Sequence, residues 1–137
     1  MNDYDHVPPP PGAGDNRDDR LWAAGAHAGA FVAAIFTSWF AGIAGAAAAL
    51  VVWFLVKDRS AFAAEHAKEA FNFNLSMFIY AVATIVLVVF TLGIGIIVAL
   101  PLWIVLGLTW LVFTVIAAMK AWEGAPYRYP LTIRLFK

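Results

Sequence analysis

The sequence predicts an all-α fold: an integral membrane four-helix bundle of two helical hairpins, with an interfacial amphipathic segment before the third helix. The ranges 21–56 and 70–119 contain no Asp, Glu, Lys or Arg. Because about 20 apolar residues cross a bilayer core of ~30 Å at ~1.5 Å per residue, each range is long enough for two crossings and a turn. Composition agrees, since hydrophobic residues are 63% of the chain and charged residues 13%, whereas soluble domains have roughly half and one quarter.

The distribution of charge divides the chain into three parts. Residues 1–19 are predicted to be a disordered cytoplasmic tail, because a run of prolines and a charged cluster leave little apolar surface to bury. Residues 20–123 are predicted to form the four-helix transmembrane domain. Residues 124–137 are predicted to be an interfacial C-terminal segment, since aliphatic side chains alternate with polar ones and can face lipid.

The first hairpin is predicted from the turn residues in the first apolar range. The first helix is expected to begin near Asp19 and to end before a turn at 37–42, where hydroxyl side chains and Gly42 favour a bend. The second helix is expected from Ile43 to Val56, since charge returns at Lys57.

The second hairpin is predicted to begin outside the membrane. Ser60 is a suitable N-cap, and no proline or glycine follows before Thr91, so a surface helix can continue into a third crossing at 70–90. The range 91–95 supplies the turn, and the fourth crossing extends to Met119 with a kink expected at Pro101.

Orientation and partners follow from the basic residues. All nine Lys and Arg fall on the side shared by the tail, the segment after the second helix and the C-terminus. The positive-inside rule then predicts a multi-pass protein of the bacterial inner (cytoplasmic) membrane with both termini cytoplasmic. Membrane lipid is the expected partner. The formal net charge is zero, so no nucleic-acid partner is expected.

A polar stripe is predicted on one face of the third helix. It consists of Glu65, Glu69, Asn72, Ser76 and Tyr80, spaced by four, three, four and four residues. Polar groups that face lipid are costly, so the stripe is expected to face the bundle interior or a wet cavity. Three interpretations are open: hydrogen bonds between helices, which we favour; a conduction or substrate pathway; and catalysis.

His27 lies within the predicted first crossing, between Gly25 and Gly29. The two glycines are spaced to let another helix pack closely. The favoured interpretation is a neutral imidazole bonded across the bundle to Asn72 or Ser76. A proton relay, or a partnership with a carboxylate of the stripe, is the alternative.

The sequence favours neither an enzyme nor a cofactor protein. It contains no nucleophile elbow, phosphate loop or dinucleotide fingerprint. His66 and Glu69 have an i, i+3 spacing found in metal sites, but the chain has only three histidines and no cysteine. No metal site is therefore predicted.

Three motifs suggest a family. They are Arg20-Leu21-Trp22-Ala23-x3-His27, Lys57-Asp58-x3-Phe62-x2-Glu65-His66-x2-Glu69-Ala70-x-Asn72-Phe73, and Gly124-x-Pro126-Tyr127-Arg128-Tyr129-Pro130-Leu131-Thr132-Ile133-Arg134. The pattern resembles the small bacterial Tic-twenty-like membrane proteins, which carry a domain of unknown function and are distantly similar to a chloroplast inner-envelope import component. The resemblance covers roughly residues 20–137 and implies a role in moving polypeptides across a membrane. It also marks as family-motif residues Phe62, His66, Phe73, Pro126, Tyr127, Arg128, Tyr129, Pro130 and Arg134.

Two classes of function remain open. We favour a structural or interaction module that assembles with itself or with another membrane protein. The alternative is a transport or channel component that passes a solute, a proton or a polypeptide along the stripe. The first is preferred because buried ionisable groups are few and the chain has no clear internal repeat or pair of broken helices.

Overall fold

A computed structural model describes residues 16–37 and 41–137. Most of the predicted tail and the centre of the first predicted turn lie outside these ranges. Within them the chain forms α-helices and no strand. The helices are α1 (Arg17–Thr37), α2 (Ala41–Val56), α3 (Ala61–Phe90) and α4 (Ile96–Trp122). The predicted all-helical fold with four helices is therefore confirmed for this part of the chain.

The core between α1, α2 and α3 is built mainly from alanine. Small side chains let helix backbones approach closely, which is how helices associate when lipid replaces water. A close approach joins α2 to α3, where a Cβ added to Gly42 would lie 2.7 Å from the Cβ of Phe78. The buried alanines at the centre of this core are Ala26, Ala30, Ala49, Ala67 and Ala70.

Within the described residues, two helices, α3 and α4, are long and apolar enough to span a membrane. Most of the α4 surface is exposed aliphatic side chain, with Ile97 74% exposed and Ile104 64% exposed. A shorter apolar helix covers Gly42–Val56. The described chain is therefore a helical protein with two candidate membrane spans.

The third helix begins and ends as the sequence indicates. Ser60 is the N-cap, and its hydroxyl accepts a hydrogen bond from the Ala63 N–H at 3.1 Å. At the other end, the N–H of Gly93 donates to the carbonyl of Val88 at 2.8 Å, which closes a Schellman motif. The left-handed position of that motif is occupied by Leu92, with φ 52°, and not by a glycine.

The fourth helix ends in a second Schellman motif. Gly124 has φ 75°, and the N–H of Ala125 donates to the carbonyl of Lys120 at 2.9 Å. The chain then runs without regular structure, turns at Pro130 and Leu131, and returns beside α3. This return brings the C-terminal residues against the predicted polar stripe.

Candidate functional site

A network of buried side chains ties α1, α3 and the C-terminal segment together. Nε2 of His27 lies 2.9 Å from Nδ1 of His66, and Nδ1 of His27 lies 2.8 Å from the hydroxyl of Tyr129. Nε2 of His66 lies 3.1 Å from the carbonyl oxygen of Ala125. His27 is 0% exposed, and His66 and Tyr129 are each 2% exposed. We call these four residues the histidine network.

The direction of every hydrogen bond in the network follows from one acceptor. The carbonyl of Ala125 only accepts, so Nε2 of His66 carries its proton. With His66 neutral, its Nδ1 accepts, and His27 must donate from Nε2. Nδ1 of His27 then accepts from the Tyr129 hydroxyl. All three hydrogen bonds of the network are therefore formed with both imidazoles neutral. Each histidine has one tautomer, with its proton on Nε2, and the Tyr129 hydroxyl points its proton at His27.

Tyr129 is the anchor of this network. Its ring stacks on Phe73 with centroids 3.9 Å apart and planes 11° apart. Burial raises the pKa of the Tyr129 phenol. Burial also raises the pKa of Tyr127, as does its proximity to the Glu69 carboxylate. The phenol of Tyr129 is therefore held as a neutral donor.

The polar stripe of α3 is bonded to backbone groups of residues 129–136. Asn72 pairs with Phe136 twice, donating from Nδ2 to its carbonyl at 2.7 Å and accepting its N–H at 2.8 Å. The Ser76 hydroxyl accepts the N–H of Ile133 at 2.8 Å. We call this arrangement the C-terminal clasp. It consists of four side chains of α3 and the backbone of residues 129–136; the side chains are those of Glu69, Asn72, Ser76 and Tyr80.

Tyr80 and Glu69 complete the two ends of the clasp. The Tyr80 hydroxyl donates to the carbonyl of Leu131 at 2.7 Å. Glu69 accepts the N–H of Tyr129 at 3.0 Å and the guanidinium of Arg134 at 3.1 Å. Arg134 also donates to the carbonyl of Tyr129 at 3.1 Å. The chain from 129 to 136 reverses at Pro130 and Leu131, and we call it the C-terminal hairpin; the ion pair between Glu69 and Arg134 closes its base.

The clasp contains four of the five residues predicted for the stripe. Glu65 is apart from it, since its carboxylate is half exposed and pairs with Lys68 on the surface. The favoured interpretation expected partners on other helices, and the alternative expected an open path. In the structure the partners are main-chain groups of the C-terminal segment. Pairing a side chain with a backbone leaves no spacing signal in the sequence, which is why this partner was missed.

His27 also has partners other than those expected. The sequence paired it with Asn72 or Ser76, but its neighbours are His66 and Tyr129, the latter 102 positions away. Among the family-motif residues, Phe62 packs its ring against that of His66 at 4.6 Å. Arg128 approaches the Glu69 carboxylate at 4.0 Å. Pro126 and Pro130 lie exposed on either side of Tyr129.

Asn74 is a buried polar residue that the sequence analysis did not single out. Its Nδ2 donates to the carbonyl of Ala70 at 2.8 Å, and its Oδ1 accepts the indole N–H of Trp110 at 3.0 Å. The amide also faces α2, where a Cβ added to Gly45 would lie 2.8 Å from its Cγ. Asn74 thus joins α2, α3 and α4. A signal existed in the sequence, because Asn74 is an amide within an apolar range.

Gly25 and Gly29 do not mark the close helix contacts within the chain. A Cβ built at either position meets no described atom within 4 Å. The close contacts are instead at Gly42 and Gly45 of α2. Packing of the Gly25 and Gly29 face against a second chain remains a prediction.

The described residues hold no group of three or more His, Cys, Asp or Glu side chains that could bind a metal ion. His66 and Glu69, which have a metal-like spacing, point to different partners: the first to the histidine network and the second to Arg134. The chemistry that this site supports is tight hydrogen bonding among neutral and paired groups.

Comparison with known proteins places these residues in one family. The model described as the magnetosome magnetite crystal formation protein family (MamF/MmsF) matches residues 18–136. The resemblance to Tic-twenty-like proteins is therefore wrong, and the role in polypeptide transport that it implied loses its support. The motifs that suggested it contain residues of the clasp and of the histidine network. Neither the curated proteins nor the solved structures contain a significant match.

Proposed function

Because the chain belongs to the magnetosome magnetite crystal formation protein family, we propose that it is a non-catalytic, membrane-embedded structural module that takes part in magnetite crystal formation. The observation that carries this proposal is the clasp. The polar side chains of α3 that could have lined a pathway are bonded to the backbone of residues 129–136. A helical bundle whose polar side chains are hydrogen-bonded to its own backbone is suited to a structural role.

The proposed topology has four crossings, with both termini on the cytoplasmic side of a bacterial membrane. Two lines of evidence support it: α3 and α4 are long and apolar enough to span, and every Lys and Arg falls at one end of the hairpins. The 16 residues of α2 extend ~24 Å, somewhat less than a bilayer core, so the first hairpin fits a locally thin membrane. Lipid is the proposed partner of the exposed α4 surface.

Assembly with a second copy or with another membrane protein is part of the proposal. It is supported by Gly25 and Gly29 of α1, where an added Cβ would meet no atom of another described helix within 4 Å. Transport is the less favoured function, because a solute would have to displace the paired backbone of the clasp. Catalysis is not proposed, since the imidazoles and the phenol of the histidine network bond to one another and the Glu69 carboxylate of the clasp is paired with Arg134.

A pair of glutamates offers the test in a magnetite-forming bacterium. Glu69→Gln removes the charge that holds Arg134 and Tyr129, whereas Glu65→Gln removes a half-exposed surface charge. With the chromosomal gene replaced, Glu69→Gln should change the size distribution of magnetite crystals measured by electron microscopy, and Glu65→Gln should not. Immunoblots of the membrane fraction show whether the Glu69→Gln protein is present in normal amount, so that a changed crystal size can be assigned to loss of its role and not to loss of the protein.

A flux measurement distinguishes the structural function from transport. Purified protein in proteoliposomes should conduct neither protons nor iron above the level of empty vesicles. A flux that Asn72→Leu abolishes while the variant stays folded would refute the structural proposal in favour of a pathway along the stripe.

A further inference from the structure

The C-terminal hairpin places extended backbone far along α3. Glu69, the last charged residue of α3, is bonded at the base of the hairpin through Arg134 and Tyr129. Ile133 is bonded to Ser76, which is seven residues further along the helix, or about 10 Å at 1.5 Å per residue. The turn at Pro130 and Leu131 lies beyond that level, since Leu131 is held by Tyr80.

The outward face of this hairpin is apolar. Leu131 is 71% exposed, Ile133 38% and Leu135 61%, while Thr132, Arg134 and Phe136 are partly buried. Phe136 packs its ring against Trp53 of α2 at 4.8 Å and against Phe71 of α3 at 5.5 Å. The hairpin therefore has one face bonded to the bundle and one face of branched aliphatic side chains.

We propose that the C-terminal hairpin is a re-entrant segment: its tip at Leu131 inserts into the hydrocarbon region of the bilayer, and Leu131, Ile133 and Leu135 contact lipid acyl chains. The inference rests on the proposed function, because it requires α3 to span the membrane. If the hydrocarbon begins near the first uncharged residue after Glu69, Ile133 lies about one third of the way through a core of ~30 Å.

The clasp supplies hydrogen bonds of the kind that backbone at that depth needs. Extended chain within the hydrocarbon region is tolerated only where its N–H and C=O groups are satisfied inside the protein. The side chains of the stripe bond the N–H groups of Tyr129 and Ile133, the carbonyl of Leu131, and both backbone groups of Phe136. The stripe thus takes the place of the water molecules that would bond this backbone if the segment lay outside the membrane.

The chemistry of the outward face favours lipid over a packed protein partner. Interfaces between membrane helices are rich in small residues that allow close approach. The hairpin instead presents branched side chains, with no glycine, alanine or serine from 127 to 137. Such a surface suits fluid acyl chains, which adapt their shape to it.

Fluorescence quenching measures the position of the tip. The chain has no cysteine, so single cysteines at Leu131, Ile85 and Asp58 can each carry a small bimane fluorophore. Ile85 is a half-exposed α3 residue beyond the tip, and Asp58 lies in the polar turn after α2. The labelled proteins are reconstituted into phosphatidylcholine vesicles that carry a nitroxide on a mid-chain carbon, and separate samples receive aqueous iodide.

The expected result is that Leu131→Cys and Ile85→Cys are quenched by the nitroxide lipid and protected from iodide, while Asp58→Cys shows the opposite. Adding Tyr80→Phe, which removes the bond to the Leu131 carbonyl, should shift quenching at Leu131→Cys toward the pattern of Asp58→Cys and leave Ile85→Cys unchanged.

Each other outcome is decisive. Iodide quenching at Leu131→Cys with nitroxide quenching at Ile85→Cys would overturn the re-entrant segment but keep the membrane-embedded module. Protection of Leu131→Cys from both quenchers would mean a protein cover and would also overturn it. Iodide quenching at both positions would refute the membrane-spanning topology itself.

Discussion

Removal of one hydroxyl tests whether the histidine network holds the bundle together. Tyr129→Phe keeps the ring that stacks on Phe73 but deletes the donor to Nδ1 of His27, a bond of 2.8 Å. His27 is 0% exposed, so water cannot replace that donor without opening the fold. A buried acceptor left unsatisfied costs about 1–3 kcal/mol. The folding equilibrium should therefore fall by a factor of roughly 5 to 150, since about 1.4 kcal/mol is tenfold.

Tyr127→Phe is the matched control, because it removes the same atom two residues away from a partly exposed ring. Its free energy of unfolding should stay within about 0.5 kcal/mol of the parent. Both variants are measured by circular dichroism as sodium dodecyl sulfate is added to protein in a non-ionic detergent. Equal stabilities for Tyr129→Phe and Tyr127→Phe would refute the argument that the network depends on a directed hydroxyl.

Three further predictions concern packing, backbone strain and pH. Gly45→Ala should lower the free energy of unfolding by about 1–3 kcal/mol in the same assay, because the added Cβ would lie 2.8 Å from Cγ of the fixed Asn74. Gly25→Ala should leave that free energy unchanged within about 0.5 kcal/mol. Similar losses in the two variants would contradict the contact assigned to Gly45. Leu92→Gly should raise the melting temperature, since it relieves a left-handed φ of 52° by up to about 1 kcal/mol; a lower melting temperature would show that the Leu92 side chain stabilises the turn. Burial raises the pKa of Tyr129 in the folded protein, so the unfolded chain loses the phenol proton first as pH rises past about 10. The free energy of unfolding should therefore fall above that pH. Tyr129→Phe should make this fall less steep, and an unchanged slope would contradict the argument.

The sequence predicted the helices well because each depends on local signals. The absence of charge from 70 to 119, the hydroxyl of Ser60 and the glycines of the turn at 91–95 together defined α3 and the start of α4. The spacing of the predicted stripe puts Glu69, Asn72, Ser76 and Tyr80 on one face of α3, and all four bond to the C-terminal segment in the structure. Periodicity identifies a face because it depends only on the geometry of one helix.

The partners of that face could not be predicted, because they depend on distant parts of the chain. Asn72 binds the main chain of Phe136, and any residue type at that position offers the same N–H and C=O. Gly25 and Gly29 satisfied a spacing rule that says nothing about which face meets another helix, and the close contact occurs at Gly45 instead. The interfacial assignment of 124–137 remains a prediction, which the quenching experiment tests.

The clasp also has a consequence for biosynthesis. Asn72 and Phe136 are 64 positions apart, so at about 5–20 residues per second the ribosome adds the second some 3–13 s after the first. During that interval α3 is already available for insertion, yet its amide and hydroxyl groups lack their eventual partners. Some other donor or acceptor must occupy those groups in the meantime, such as water or the lining of the insertion machinery. The helix is therefore expected to leave the translocon late, as one unit with the C-terminal segment.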